Sequence, residues 1–471
     1  MTATSRRTQI LFLVVFLLSA GLRLGLVSYN RQSNDDHITV IQLILKTSSL
    51  PIKTDCWECF QPKLFHYSMA KFLQLSGLEN AGQDTLVLAV ELVNCAAGLL
   101  TILVIGLFVL RWPGKSEFLK VLAFGLVALN PNLTGINSQA TNDTFMILFS
   151  TLALFCTYAF LQKQKPGTFL LILIFTILGI STKTNGWVTA GAIFLAFLVK
   201  AGLEKRLRIR MLLTTVLFGF VTLLVSIINP LNQYISNYRL YGSPLQLNIT
   251  RQPLPHFFIQ SSNPSFRPGI LSIQDGLFTF KFIDLLRNPL IMNKDDYSPN
   301  RTSLWTQLYG RAHSVHFDNW PTSWSADGDR AFNLARAIYI LALLPTACLL
   351  IGAIMEIVLA LQAILKRDAG LASNVHFGLT IITFAGFVLF LILYAVEYRD
   401  FSVFKPIFIY PAILTFPILF LRAGEAIWSR LAGRLLWIRA AAGAWIVALC
   451  ILYSADIITL TMLIALRMHG A

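Results

Sequence analysis

Long apolar runs constrain the fold of this chain more than any other feature of its sequence. The chain has 471 residues, of which 55% are hydrophobic and only 13% are charged, whereas about a quarter of the residues in a soluble domain are charged. A helix needs roughly 20 apolar residues to cross a bilayer. We therefore expect an all-α polytopic membrane protein. About eleven runs approach this length, at residues 10–29, 86–110, 118–133, 144–161, 168–180, 187–199, 211–230, 335–363, 375–396, 406–421 and 440–466.

The distribution of basic residues predicts which side of the membrane each loop occupies. Arg6 and Arg7 precede the first run, and the loops that would share their side hold about half of the 38 Lys and Arg residues. Because cytoplasmic loops are enriched in Lys and Arg, we place the N-terminus in the cytoplasm and segments 30–83 and 231–333 outside. The net charge of +15 is then a topology signal and does not indicate nucleic-acid binding.

Two neighbouring runs, 168–180 and 187–199, are too short to span the membrane fully and are joined by a polar turn at 181–186. This pattern predicts a hairpin whose tip lies at membrane depth. The tip carries Lys183, and a cation at that depth is costly without an anionic partner. A lipid phosphate is a natural partner, and a lysine that extends to the headgroups is the alternative.

An acidic pair, Asp35-Asp36, follows the first run directly and precedes His37. On the predicted topology these carboxylates lie outside, at the boundary between water and lipid. Paired carboxylates at that depth suit the deprotonation of a hydroxyl group beside a lipid-borne substrate. The alternative is that they are polar residues at a helix end.

The same outer segment contains Cys56 and Cys59, with Glu58 between them. On the non-cytoplasmic side these cysteines could form a disulfide or stay free. They could also be half of a metal site, although no second cysteine pair completes one. Glu58 and His66 could bind substrate. The alternative is that they cap a helix or lie at the membrane interface.

Two further places carry polar residues next to apolar runs. Asp143 directly precedes a run, so it is either a helix N-cap or a second acid that binds a cation or the acceptor. Arg399 and Lys405 lie on the predicted outer side, against the charge bias. We interpret them as cations for a lipid phosphate, with simple headgroup contact as the alternative.

These motifs together resemble the GT-C class of integral-membrane glycosyltransferases. The resemblance is strongest to bacterial relatives of polyprenyl-phosphate-mannose protein mannosyltransferases and lipid A aminoarabinose transferases. Lys63 departs from the family pattern, which usually has a second proline there. The matching motifs occur in family order, namely Asp35-Asp36, Gln61 to Tyr67, Asn142 to Phe145, Thr182-Lys183 and Lys405 to Pro411.

The resemblance implies a GT-C-like transmembrane module over residues 1–230, an outer loop or small subdomain over 231–334 and C-terminal helices over 335–471. It implies transfer of a hexosyl or pentosyl group from a polyprenyl-phosphate donor to an acceptor hydroxyl on a protein, lipid or glycan, normally with inversion. The expected location is a bacterial inner membrane, with the active site facing the periplasm or exterior.

The resemblance also implies roles for individual residues. Asp35 or Asp36 would be the catalytic base. Participation of Mg²⁺ or Mn²⁺ stays open, because some members of the class use a divalent ion and others do not; Asp36 and Asp143 are the candidate ligands. The substrate-binding residues would be His37, Glu58, Gln61, His66, Asn142, Asp143, Lys183, Arg399 and Lys405.

Three other functions are alternatives to a glycosyltransferase. A transporter or flippase of lipid-linked sugars would need less polar material outside and would tend to show inverted repeats, which this chain lacks. An O-antigen ligase or polymerase would usually rely on a large outer loop rich in Arg and His. A noncatalytic scaffold would leave the acidic pair without a role. The glycosyltransferase is therefore our interpretation.

Overall fold

The computed structural model describes residues 5–31, 35–114, 116–246, 272–289, 302–314, 329–398, 404–430 and 436–468. In these residues all the regular elements are helices. In chain order they are α1 (Arg6–Tyr29), α2 (His37–Thr47), α3 (Leu64–Leu75), α4 (Gln83–Arg111), α5 (Glu117–Ala128), α6 (Pro131–Asn137), α7 (Asp143–Lys163), α8 (Pro166–Thr182), α9 (Gly186–Leu203), α10 (Arg208–Ile228), α11 (Tyr234–Tyr241), α12 (Ile273–Phe278), α13 (Phe282–Arg287), α14 (Leu304–Ala312), α15 (Asp329–Lys366), α16 (Ala369–Asn374), α17 (Leu379–Tyr398), α18 (Thr415–Arg430) and α19 (Leu436–Met468).

The all-α membrane fold is confirmed. In the described part of the chain, eight stretches are long and apolar enough to cross a bilayer, and they contain α1, α4, α7, α9, α10, α15, α17 and α19. The bent pair α5–α6 would make a ninth. Helices α8 and α18, with 17 and 16 residues, are shorter. Each predicted apolar run is largely helical, whereas the number of about eleven spans stays a prediction, as does the division into three parts.

The break between α5 and α6 corrects one predicted span. The run 118–133 was expected to be continuous, but the helix turns by 49° between Ala128 and Pro131. Pro131 has no N–H to donate and cannot continue the hydrogen bonding of α5. The side chain of Asn130 caps the new helix by accepting from Leu133 N at 2.8 Å. Every residue of helix α6 is buried.

Helix α7 lies at the centre of the N-terminal half, where it packs against α4, α8 and α9. Helix α1 packs against α4, α5 and α19. Helix α2 packs against α3, and its Ile41 and Ile44 belong to an apolar cluster that also includes residues of α3 and α4, so this face is buried in protein. These contacts bring the connections after α1, α6, α8 and α10 to one end of the helix bundle, which we call the outer end. The connections after α4, α7 and α9 form the opposite, basic end.

Candidate active site

The predicted hairpin is present as α8 and α9, and it places Lys183 at its tip. Helix α9 is long enough to cross a bilayer, so the expectation that the run 187–199 is too short to span is wrong, and the depth of the tip in the membrane stays a prediction. Thr182 ends α8, and Gly186 begins α9. The two helices approach so closely there that a Cβ atom on Gly186 would lie 2.6 Å from the backbone nitrogen of Ile180. Glycine is therefore required for this turn. Lys183 N donates to Gly179 O at 3.0 Å, which fixes the backbone from which the lysine side chain projects.

Lys183 has an anionic partner in the chain itself. Its Nζ lies 2.6 Å from Oδ1 of Asp143, at the start of α7. The side chain of Asp143 is 2% exposed and that of Lys183 is 13% exposed. Asp143 Oδ2 accepts from Thr141 Oγ1 at 3.2 Å. Asp143 is the first residue of α7 and Asn142 precedes it as the cap, so the interpretation of Asp143 as an N-cap is wrong.

A chain of side-chain amides connects this ion pair to the first outer segment. Asn142 Nδ2 donates to Gln61 Oε1 at 2.5 Å and lies 3.4 Å from Thr182 O. Gln61 Nε2 in turn donates to the carboxylate of Glu58. All three side chains are buried. The connection brings residues from three separate segments to one place, as their predicted common role requires.

Glu58 lies inside a small disulfide loop. Cys56 and Cys59 are bonded, which confirms the disulfide among the alternatives for this pair. The loop is a 3₁₀ turn over Trp57–Phe60. Lys63 supports it from below, because its buried Nζ donates to Cys59 O and Gln61 O, both at 2.6 Å. This role was not predicted, since lysine is rarely buried.

The two acidic residues after α1 occupy different environments. Asp36 is exposed and caps α2 by accepting from Thr39 N at 3.3 Å. Asp35 is partly buried, and its charge acts on His37 and Glu58. His37 is fully buried, and its Nδ1 lies 3.0 Å from Nε2 of His66. One imidazole of this pair donates and the other accepts.

The electrostatics of the outer end reflect the convergence of these groups. Burial, aided by the nearby charge of Asp35 and opposed by that of Lys183, raises the pKa of Glu58 to about 7. Burial lowers the pKa of His37 to about 4 and that of Lys63 to about 7. His66 also has a pKa well below its ordinary value because it is buried. Both histidines are therefore neutral at physiological pH.

Polar residues inside the spans hold the loop that carries Asp143, and the sequence interpretation missed them. Asn94 of α4 donates from Nδ2 to Gln139 O at 2.5 Å and to Thr141 O at 2.7 Å. Arg23 of α1 donates to Asn137 Oδ1 at 3.1 Å. Both side chains are fully buried. A charged or amide residue within an apolar run is unusual, so the runs themselves contained the signal.

The late basic segment, Lys405 to Pro411, lies next to the ion pair of Asp143 and Lys183. Lys183 Nζ is 5.5 Å from the ring centroid of Phe408, three residues after Lys405. Lys405 is partly buried and belongs to the same segment as Phe408. Arg399, the other predicted cation, lies outside the described residues.

The residues that the structure describes contain no set of ligands for the Mg²⁺ or Mn²⁺ considered above. No three His, Cys, Asp or Glu side chains among them lie close enough together to hold an ion. Of the two candidate ligands, Asp36 caps a helix and Asp143 is paired with Lys183. Participation of Mg²⁺ or Mn²⁺ stays a prediction, and the chemistry proposed below uses protein groups alone.

Comparison with known proteins locates a similarity in the N-terminal half. Residues 64–228 match the model of a family described as dolichyl-phosphate-mannose-protein mannosyltransferase. This interval contains α3, Asp143 and Lys183. It does not contain Asp35 or Gln61. No curated protein matches the chain at a significant level.

Two solved structures are similar to this chain at low sequence identity. The oligosaccharyltransferase of Archaeoglobus fulgidus in complex with Zn and sulfate is 13% identical with a TM-score of 0.48, and the match covers 95% of this chain and 53% of that one. The chain thus spans about half the length of that enzyme. ArnT from Cupriavidus metallidurans bound to undecaprenyl phosphate is 14% identical with a TM-score of 0.34, covering 81% and 77%. The resemblance of this chain to the GT-C class is confirmed, with the family match over residues 64–228.

Proposed function

We propose that this protein is a membrane glycosyltransferase that moves a sugar from a polyprenyl-phosphate donor to an acceptor hydroxyl at the outer end of the helix bundle. The observation that carries the proposal is the convergence of Asp35, Glu58, Asp143 and Lys183 on that end. Three separate segments contribute these residues, because Asp35 and Glu58 both lie in the first outer segment, and the charges of Asp35, Asp143 and Lys183 all act on Glu58. The family match supports the donor class, since dolichyl-phosphate-mannose is a polyprenyl-phosphate sugar.

Asp35 is the better candidate for the catalytic base. A base must lie within reach of the hydroxyl proton. Asp36 uses its carboxylate as a helix cap and is exposed. Asp35 is partly buried and close enough to Glu58 and His37 for its charge to act on the pKa of both. In the proposed step, the acceptor oxygen attacks the anomeric carbon, its proton passes to Asp35 and the bond to the phosphate oxygen breaks, normally with inversion.

The departing lipid phosphate needs positive charge and no added proton, because it is already a good leaving group. Lys183 supplies that charge in our proposal, with Lys405 and Arg399 from the late segment. Asp143 holds the ammonium of Lys183 in place at 2.6 Å until the phosphate arrives. Such a prearranged charge stabilises the transition state without reorganisation.

The amides and imidazoles beside the ion pair are suited to bind sugar hydroxyls. Glu58, Gln61 and Asn142 form one hydrogen-bonded chain, and His37 and His66 form a neutral pair. Asn142 Oδ1 and His37 Nε2 are buried and have no hydrogen-bond partner among the described residues. Buried polar atoms are normally paired, so a hydroxyl-bearing ligand would complete this site.

Transfer can be tested with the purified full-length protein in liposomes. Radiolabelled polyprenyl-phosphate sugars of several hexoses and pentoses are supplied with membrane extract as the source of acceptors. We expect label to leave the donor and join an acceptor for one sugar, and this transfer to be lost in Asp35→Asn. Translocation of intact donor across the bilayer without transfer would instead identify a flippase. Label in polymerised glycan would identify a ligase or polymerase.

A further inference from the structure

The basic end of the bundle carries a concentration of positive charge that the proposed reaction does not use. Between residues 161 and 214, excluding the hairpin tip, one carboxylate, Glu204, stands against seven cations. Lys200 pairs with Glu204 at 3.4 Å, and none of the other six makes an ion pair with a described residue. The cations are Lys163, Lys165, Lys200, Lys205, Arg206, Arg208 and Arg210.

Three of these cations form the rim of a groove on α10 and the turn before it. Lys205, Arg206 and Arg210 are exposed and line the groove, which has a volume of about 570 Å³. Arg210 Nη2 donates to Gln164 O at 3.3 Å, which holds its guanidinium toward the α7–α8 connection. The side chains of Lys205 and Arg206 make no hydrogen bond with a described residue.

An apolar stripe continues from the cations along the same helix. Ile209, Leu213 and Leu217 are 76%, 65% and 50% exposed and line the same groove. Their spacing of four residues places them on one face of the helix. With a rise of 1.5 Å per residue, the stripe extends for about 12 Å, which fits within one leaflet of a hydrocarbon core about 30 Å thick.

We propose that this groove binds an anionic membrane phospholipid, with its phosphate at Lys205, Arg206 and Arg210 and an acyl chain along the stripe. Arginine binds phosphate oxygens with two parallel hydrogen bonds, and basic pockets at this side of membrane proteins suit such headgroups. If these cations served only to keep the loop on the cytoplasmic side, their charge would be enough. A groove that connects them to exposed aliphatic side chains would not be needed. The site is at the opposite end of the bundle from Lys183 and does not depend on the proposed reaction.

The test compares two variants that remove equal charge from the same end. Arg206→Gln/Arg210→Gln removes two groove cations, and Lys163→Gln/Lys165→Gln removes two exposed cations outside the groove. Binding of phosphatidylglycerol and phosphatidylcholine with identical acyl chains is measured on the full-length protein by native mass spectrometry. A cation near an anionic lipid contributes about five-fold in affinity, so we expect a loss of about 25-fold for the groove variant. The matched variant should lose five-fold or less.

A third variant tests the apolar half of the site. Ile209→Ala/Leu213→Ala should weaken phosphatidylglycerol binding and leave its preference over phosphatidylcholine. Inorganic phosphate should not displace the lipid at equal concentration. Equal retention of both lipids by the wild type, or equal loss in both charge variants, would overturn the proposal. Stronger binding of a polyprenyl phosphate than of phosphatidylglycerol would also overturn it. Melting curves in phosphatidylcholine check that each variant is folded.

Discussion

Lys183 Nζ and Asp143 Oδ1 lie 2.6 Å apart although 40 residues separate them in the sequence. The pair joins the tip of the α8–α9 hairpin to the first turn of α7. Both side chains are largely buried, so each depends on the other for compensation of its charge. Loss of one member of a buried ion pair is costly because the remaining charge stays away from water.

We expect this mutual dependence to appear in a double-mutant cycle. Lys183→Met should destabilise the protein by about 3–5 kcal/mol, because Asp143 would remain buried and unpaired. Asp143→Asn should cost less, since Lys183 is 13% exposed and can reach water. The double variant should be more stable than Lys183→Met alone. Unfolding midpoints in detergent, followed by tryptophan fluorescence, measure the three effects; strictly additive shifts would contradict the pairing.

The two adjacent acids should respond differently to the same substitution. Asp35→Asn should lower sugar transfer by about 10²–10⁴-fold, the usual contribution of a general base. Asp36→Asn should retain most of the activity, because asparagine is also a good helix cap. Initial rates at saturating donor, with matched amounts of folded protein, measure both. Equal losses in the two variants would contradict the assignment of Asp35 as the base.

Stability should depend on pH through Glu58. Its pKa rises from 4.5 to about 7 on folding, so the folded state binds the proton more tightly than the unfolded state. The resulting stabilisation is complete below pH 4.5 and is lost as the pH rises to about 7, a change of about 3 kcal/mol. Glu58→Gln should therefore melt at a higher temperature than the wild type at pH 8 and show little difference at pH 4.5.

A control for this pH effect is Asp275→Asn. Asp275 lies in the second outer segment and pairs with Lys281 at 2.8 Å. Its pKa is lowered on folding, so its contribution has the opposite sign and is lost as the pH falls. If Glu58→Gln and wild type keep the same difference in melting temperature from pH 4.5 to pH 8, the proposed proton uptake does not occur.

The disulfide should stabilise the loop that carries Glu58. Closing a ring of four residues contributes about 2 kcal/mol in the chain-entropy model. Cys56→Ser/Cys59→Ser should lower stability by about this amount and reduce transfer, because the Glu58–Gln61–Asn142 connection would lose its fixed turn. A dithiol should have the same effect on the wild type and none on the variant. Unchanged activity after complete reduction would show that the loop does not need the bond.

Hydropathy and charge predicted most of the fold because the bilayer imposes strong limits on length and polarity. The runs that became α1, α4, α7 and α9 were each visible as apolar stretches with basic residues at one side. The break before α6 was not predicted, since Leu133 and Ile136 continue the apolar pattern past Pro131. Whether a proline bends a helix or ends a span depends on what packs around it.

The candidate residues of the site could be predicted from the sequence, but the contacts between them could not. Asp35, Glu58, Asp143 and Lys183 stood out as polar residues next to apolar runs. The sequence could not show that Lys183 finds its anion in Asp143, because nothing local relates positions 40 residues apart. The buried role of Lys63 was also hidden, since its partners are backbone carbonyls, which carry no signature in the sequence.

Gly186 gives the hairpin a consequence for how sites of this kind can diverge. The backbone of α8 occupies the space in which any larger residue at 186 would begin its side chain. The position of the Lys183 ammonium group therefore depends on a glycine that has no side chain of its own. If the proposed function holds, a descendant of this chain could change its sugar by altering the amides and imidazoles around Lys183, whereas one that loses this glycine would have to widen the turn and place its positive charge elsewhere.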